Sequence, residues 1–92
     1  MAISAVNIIV KGRVQGVGFR FFAYKNAVLF GIKGWVRNLP NGDVEIYAEG
    51  ENDSINKFIE KIEQGPALGL VKEIKKKNVI PQNKFSDFKI DF

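Results

Sequence analysis

The chain has 92 residues, of which 46% are hydrophobic and 26% charged, and these values are typical of one small globular domain. It contains neither cysteine nor histidine, which excludes disulfides, a thiolate nucleophile and the commonest general base and metal ligand. The formal net charge of +4 is compatible with nucleic acid or with an anionic small molecule as ligand. Because no apolar run is long enough to span a membrane and no signal segment opens the sequence, we expect a cytoplasmic protein without membrane attachment.

Apolar periodicity predicts five strands and two helices. Alternation from Val6 to Val10 indicates a first strand, and apolar residues at helical spacing follow from Phe19 to Phe30. Asn26 lies on the apolar side of that helix, and its presence there is not explained by the periodicity. In chain order, we predict a strand at 5–11, a helix at about 21–30, strands at 32–39 and 43–49, a helix capped by Asn52 or Asp53, a strand at 70–79 and a short strand carrying Phe85, Phe88 and Ile90.

Glycines and a tight turn mark the ends of these elements. Gly31 is predicted to end the first helix, and Gly65 the second. The segment Pro40-Asn41-Gly42 predicts a tight turn that joins the second and third strands as a hairpin. The fourth strand alternates imperfectly, which suggests a bulge, and its run Lys75 to Lys77 is typical of a solvated edge strand.

The order of these elements is βαββαβ followed by a terminal strand. Two crossovers around a hairpin predict an α+β, ferredoxin-like sandwich: an antiparallel sheet of four to five strands with both helices on one face. There are no repeats, linkers or low-complexity segments. We therefore expect residues 1–92 to form a single domain.

A glycine-rich loop between the first strand and the first helix is the first candidate site. Gly12, Gly16 and Gly18 let backbone N–H groups converge, and the helix N-terminus adds free donors for an anion. Arg20 adds a planar charged group suited to two phosphate oxygens. The spacing fits neither a P-loop nor a dinucleotide-binding loop. A simple glycine turn with a solvated Arg20 is the alternative.

Asn38, near the end of the second strand, is the second candidate. Its amide offers one acceptor and two donors whose charge does not change with pH, so it can hold a water molecule without acting as a base. Alternatively, Asn38 simply starts the following turn, a position that asparagine favours.

Acidic and aromatic side chains of the second and third strands raise two further possibilities. Asp43, Glu45 and Glu49 alternate along the strand as on an ordinary solvated face, so we expect no metal site. Trp35 and Tyr47 are expected to share the open sheet face, where RNA-binding sheets carry aromatic residues. Because the third strand is acidic and has only one aromatic residue, we expect no nucleic-acid partner.

Two motifs resemble the signature sequences of the acylphosphatase family. They are Gly12-Arg13-Val14-Gln15-Gly16-Val17-Gly18-Phe19-Arg20 and Gly34-Trp35-Val36-Arg37-Asn38-Leu39-Pro40-Asn41-Gly42. A weaker match is Val44-Glu45-Ile46-Tyr47-Ala48-Glu49-Gly50, followed by Gly65-Pro66. The matches cover nearly the whole chain in the right order, and the family has the ferredoxin-like fold. The resemblance therefore implies a single acylphosphatase-like domain over residues 1–92.

This resemblance implies the hydrolysis of an acyl phosphate to a carboxylate and inorganic phosphate, which is both product and inhibitor. It assigns the catalytic arginine to Arg20 and the water-positioning asparagine to Asn38. The phosphate would be held by backbone N–H groups of the loop residues Gln15, Gly16, Val17, Gly18, Phe19 and Arg20. No cofactor or metal is implied, and we expect a monomer. The alternative is a ferredoxin-like module that binds an anion or RNA without turnover.

Overall fold

The structure, a computed structural model, describes residues 2–92 and contains all seven predicted elements. Within these residues no helix is long and apolar enough to cross a membrane. The elements are β1 (Ile3–Arg13), α1 (Phe19–Phe30), β2 (Lys33–Asn38), β3 (Val44–Glu51), α2 (Asn52–Gln64), β4 (Leu70–Val79) and β5 (Phe88–Asp91).

The five strands form one sheet in the order β4-β1-β3-β2-β5. Pairing is antiparallel between the first four strands, as the sequence predicts, whereas β5 runs parallel to β2. The sheet is therefore mixed at that edge, because the chain crosses from β4 at one edge to β5 at the other. Both helices pack on the same core, and the predicted ferredoxin-like α+β fold is confirmed.

The core lies between one face of the sheet and the two helices. Val6, Ile8 and Val10 of β1 are at most 2% exposed, as their alternation predicts. Phe19 of α1 and Phe58 of α2 are fully buried against them. Burial of such large apolar side chains contributes about 1.5–3 kcal/mol each, so these contacts hold both helices against the sheet.

The helix ends agree only in part with the predictions. Gly31 adopts the left-handed conformation that ends α1, as predicted, and the N–H of Gly65 closes α2 on the carbonyl oxygen of Lys61. The predicted side-chain cap of α2 is wrong: no side chain caps this N-terminus, and the amide oxygen of Asn52 accepts a hydrogen bond from Ser4 Oγ instead. Within α1, Asn26 is buried, and its side-chain amide donates to the carbonyl oxygen of Phe22 one turn earlier, which lowers the cost of burying it.

Strand β4 is an exposed edge with the predicted irregularity. Lys11 pairs with Glu73 but Gly12 pairs with Val71, so Lys72 is the extra residue of a bulge. The three consecutive lysines 75–77 are all exposed. Charged side chains on an edge strand disfavour pairing with a second sheet.

Candidate active site

The loop between β1 and α1 turns on two glycines in the left-handed region. Gly16 has a φ of 75° and Gly18 a φ of 77°. Gly18 directly precedes α1, and its carbonyl oxygen accepts the N–H of Phe22 at 2.9 Å. The helix therefore begins at Phe19, two residues before the predicted start, because a glycine rather than a polar side chain sets its N-terminus. This arrangement leaves the first N–H groups of the helix without a side-chain cap.

Arg20 lies in the first turn of α1 and has no carboxylate partner there. No acidic residue occupies that turn, and Arg20 forms no ion pair within residues 2–92. Its Nη1 donates to the carbonyl oxygen of Asp91 at 3.3 Å, and its guanidinium carbon lies 4.8 Å from the centre of the Phe92 ring. The charge is therefore oriented by neutral groups and remains available to an anion.

Asn38 is the last residue of β2, and its side-chain oxygen is buried. This Oδ1 is the one buried side-chain polar atom without a hydrogen-bond partner in the part of the chain that the structure describes. The following turn is closed by Leu39 N–H donating to Asp43 O and by Asn41 Oδ1 accepting from Asp43 N–H. Because the turn does not use the Asn38 side chain, the alternative role of turn initiation is not supported.

A cavity of about 250 Å³ brings the two motifs together. It contains both Arg20 and Asn38, and most of its remaining wall is apolar side chain or glycine backbone. The lining residues are Val14, Gly16, Gly18, Phe19, Arg20, Phe21, Asn38, Ile90 and Phe92. Larger cavities of about 640 and 600 Å³ lie between the helices and beside β4, but neither contains an arginine.

Two of the predicted loop residues do not line this cavity. The Gln15 side-chain amide donates to the carbonyl oxygens of Leu39 and Asp43, which ties the loop to the β2–β3 turn. Val17 is partly buried and packs against the core. The side chains of these residues therefore hold the loop in place.

β5 and the residue after it supply three contacts that the sequence did not predict. Ile90 and Phe92 line the cavity, and Asp91 accepts the hydrogen bond from Arg20. They reach Arg20 because β5 pairs in parallel with β2, so that Ile90 lies opposite Val36. A parallel pairing over such a separation leaves no local pattern in the sequence.

Two of the acidic residues considered for a metal site, Asp43 and Glu45, have basic partners. Asp43 accepts a 2.7 Å hydrogen bond from Lys11, and this bond raises the pKa of the lysine. Glu45 forms a 2.7 Å ion pair with Arg37. Among residues 2–92, no group of three or more acidic, histidine or cysteine side chains is arranged to hold a metal ion.

Glu49 corrects the expectation of a wholly solvated acidic face. It is only 4% exposed, because the segment after β4 covers it. Tyr47 is also buried beneath this segment, where Phe85 packs against it with a distance of 5.3 Å between the ring centres. Trp35 shares this sheet face with Tyr47, as predicted, and stacks beside it, but this part of the sheet is not the open aromatic surface that RNA-binding sheets present.

Comparison with known proteins gives one consistent family. A family model described as acylphosphatase matches residues 6–90. A relative from Methanocella arvoryzae named acylphosphatase is 48% identical over 71 residues, which is 77% of this chain and 81% of the relative. Another of that name, from Archaeoglobus fulgidus, is 42% identical over 88 residues and covers 96% of this chain and 98% of the relative.

Solved structures agree with the sequence comparisons. The crystal structure of acylphosphatase from Bacillus subtilis superposes with a TM-score of 0.93 at 36% identity, covering 97% of this chain and 99% of the other. Full-length HypF, in its phosphate- and nucleotide-bound form, contains a similar fold with a TM-score of 0.87 at 35% identity, covering 99% of this chain but 12% of HypF. With both signature motifs meeting in one cavity, the chain belongs to the acylphosphatase family.

Proposed function

We propose that this chain hydrolyses the carboxyl–phosphate bond of small acyl phosphates, using Arg20 and Asn38. The observation that carries the proposal is their meeting in one cavity: an arginine without a carboxylate partner and a buried amide oxygen without a hydrogen bond. Family membership supports the reaction. The reaction consumes one water and releases a carboxylate and inorganic phosphate.

Binding of the substrate's phosphate group is assigned to the loop and to Arg20. Backbone N–H groups of residues 15–20 hold its oxygens, and the Arg20 guanidinium neutralises their charge through two parallel hydrogen bonds. Phosphoryl transfer is mainly a problem of positioning and charge stabilisation, so a fixed set of donors is suited to it. The Asp91 carbonyl and the Phe92 ring support this role because they orient the guanidinium without neutralising it.

Asn38 is assigned the attacking water. Its free Oδ1 is an acceptor for one water proton, which directs a lone pair of the water oxygen toward phosphorus. The P–O bond to the acyl group then breaks, and the electron pair leaves with the carboxylate. The water proton passes to a phosphate oxygen. No protein base is therefore needed, and the weakly basic leaving group needs no general acid.

Hydrolysis of acetyl phosphate in water labelled with heavy oxygen tests this assignment. Attack at phosphorus places the label in inorganic phosphate, whereas attack at the carbonyl carbon places it in acetate. We expect label in phosphate only, and a loss of turnover in Arg20→Gln. Label in acetate, or no turnover by the wild-type chain, would contradict the proposal.

We further propose a single domain that acts as a monomer in the cytoplasm and is inhibited by inorganic phosphate. Exposed lysines on the β4 edge and the short, four-residue β5 at the opposite edge support the monomer, because both disfavour edge-to-edge pairing. Sedimentation analysis at several protein concentrations tests the monomer, and subcellular fractionation tests the cytoplasmic location.

A further inference from the structure

The segment between β4 and β5, which we call the strap (residues 80–87), crosses the sheet face opposite the helices. It is held there by Glu49 and by the Tyr47 hydroxyl, which also accepts the N–H of Gln82 at 3.0 Å. Glu49 Oε1 accepts hydrogen bonds from the Tyr47 hydroxyl at 2.6 Å and from the N–H groups of Gln82 at 3.1 Å and Asn83 at 3.3 Å. Glu49 forms no ion pair within residues 2–92. Its negative charge is therefore stabilised by the N–H groups of the strap and by the hydroxyl of Tyr47.

The strap has a specific backbone conformation where it meets Glu49. Asn83 has a φ of 57° and is the one non-glycine residue in the left-handed region among residues 2–92. A residue in this region costs energy unless surrounding contacts fix it. The paired N–H groups on Glu49 Oε1 supply such a contact, so the carboxylate and the turn depend on each other.

The strap leads directly to the residues that orient Arg20. At its end, the carbonyl oxygen of Asp87 accepts the Gly34 N–H of β2 at 3.0 Å, and the short β5 begins with the next residue. At the other end of β5, Asp91 accepts the hydrogen bond from Arg20, and the Phe92 ring lies over the guanidinium. The strap and β5 thus form one stretch of chain that contacts Glu49 near its start and Arg20 at its end.

We propose that Glu49 is a positioning residue for the phosphate site, acting on Arg20 through the strap and β5. This inference rests on the proposed role of Arg20. β5 pairs with β2 and its first residue, Phe88, is buried in the core, and the strap fixes the chain directly before that residue. Release of the strap lets β5 shift, and the Arg20 guanidinium loses the carbonyl and ring that orient it.

Glu49→Ala tests the proposal, with Glu49→Gln and Glu45→Ala as controls. The amide oxygen of Gln can accept the same N–H groups, so Glu49→Gln should retain the phosphate inhibition constant within about twofold. Glu45→Ala removes a carboxylate from the same strand and face, but one that contacts Arg37 and Asn7 rather than the strap. Glu49→Ala should raise the phosphate inhibition constant and KM about threefold to tenfold, and Glu45→Ala should change neither appreciably.

The fluorescence of Trp35, the chain's one tryptophan, reports on the position of the strap. The centre of its ring lies 6.2 Å from that of Tyr47, whose hydroxyl contacts the strap. We expect its emission to shift to longer wavelength in Glu49→Ala but not in Glu49→Gln. Should Glu49→Ala fail to fold, Asn83→Pro releases the strap from its exposed side, because proline lacks the N–H and cannot adopt a positive φ. It should raise the phosphate inhibition constant in the same way.

Two results would contradict the role of Glu49 and leave the proposed function standing. One is a Trp35 emission unchanged by Glu49→Ala. The other is a shifted emission with unchanged phosphate inhibition. A wild-type chain that neither hydrolyses acyl phosphates nor binds inorganic phosphate would instead overturn the proposed function, and the role of Glu49 with it.

Discussion

The side-chain amide of Gln15 donates a 2.7 Å hydrogen bond to the carbonyl oxygen of Leu39, the residue directly after Asn38. A second bond of 2.8 Å reaches the carbonyl oxygen of Asp43 at the other side of the turn. The loop that leads to Arg20 is thereby fastened to the turn that follows Asn38. The contact therefore links the two segments that carry the arginine and the asparagine.

Gln15→Ala should therefore impair both folding and catalysis. Loss of the two hydrogen bonds is expected to lower the free energy of unfolding by about 1–2 kcal/mol and to reduce kcat/KM. Denaturant titration and steady-state kinetics on one preparation measure both effects. Asn41→Ala is the control, because Asn41 bonds within the turn and not to the loop. A destabilised Gln15→Ala enzyme with unchanged kcat/KM would show that the contact does not position the site.

Asn38→Ala should separate catalysis from binding. We expect a large fall in kcat with the inhibition constant for phosphate within a few-fold of wild type, because the proposal assigns Asn38 to the attacking water rather than to the phosphate. Thermal unfolding of the same sample checks for a structural loss of about 1 kcal/mol. An unchanged kcat would remove Asn38 from the mechanism, and a loss of phosphate affinity as large as that of kcat would assign it to the anion site.

Turnover should survive exhaustive chelation and vary little between about pH 5 and pH 7.5. The chain has no histidine or cysteine, so no side chain has a reference pKa in this range, although the substrate phosphate titrates near its lower end. Rates measured in EDTA across this range test the expectation. A sharp bell-shaped profile, or activity restored by Mg²⁺ after chelation, would contradict it.

Tyr47 should make the fold sensitive to alkaline pH. Burial, and then the hydrogen bond to Glu49, raise the pKa of its hydroxyl above the ordinary value of 10.0. Because the folded state holds this proton more tightly than the unfolded state, the stability it contributes is complete below about pH 10 and is lost as the pH rises through the folded-state pKa. Lys11 also has a raised pKa, but this lysine is present both in the wild type and in Tyr47→Phe, the two proteins that are compared below.

The free energy of unfolding of the wild type should consequently fall more steeply above about pH 10 than that of Tyr47→Phe. Urea titrations followed by Trp35 fluorescence over the alkaline range give both slopes. Parallel slopes would show that Tyr47 does not contribute to the alkaline loss.

Local patterns predicted most of the fold. The alternation from Val6 to Val10 and the helical spacing of Ile55, Phe58 and Ile62 identify core faces because each pattern is set by neighbouring residues. The start of α1 was predicted two residues late, since Gly18 provides no side-chain cap that the sequence could reveal. Arg20 and Asn38 were identified by motif, and the cavity that they share follows from the fold.

Long-range contacts were the part that the sequence did not predict. Glu49 alternates like a solvated residue, and only the strap buries it. Likewise, Asp91 and Phe92 reach Arg20 through the parallel pairing of β5 with β2. These features depend on where a segment without regular structure crosses the sheet, and residue spacing carries no information about that path.

Arg20→Gln tests the central claim most directly, with Arg13→Gln as a matched control. Arg13 belongs to the same motif but is exposed and does not line the cavity. Release of inorganic phosphate from acetyl phosphate is the measurement, made on variants whose thermal unfolding shows that they are folded. We predict that Arg20→Gln loses at least about 10²-fold in kcat/KM and binds phosphate more weakly, while Arg13→Gln stays close to wild type. A folded Arg20→Gln enzyme with wild-type turnover would contradict the account.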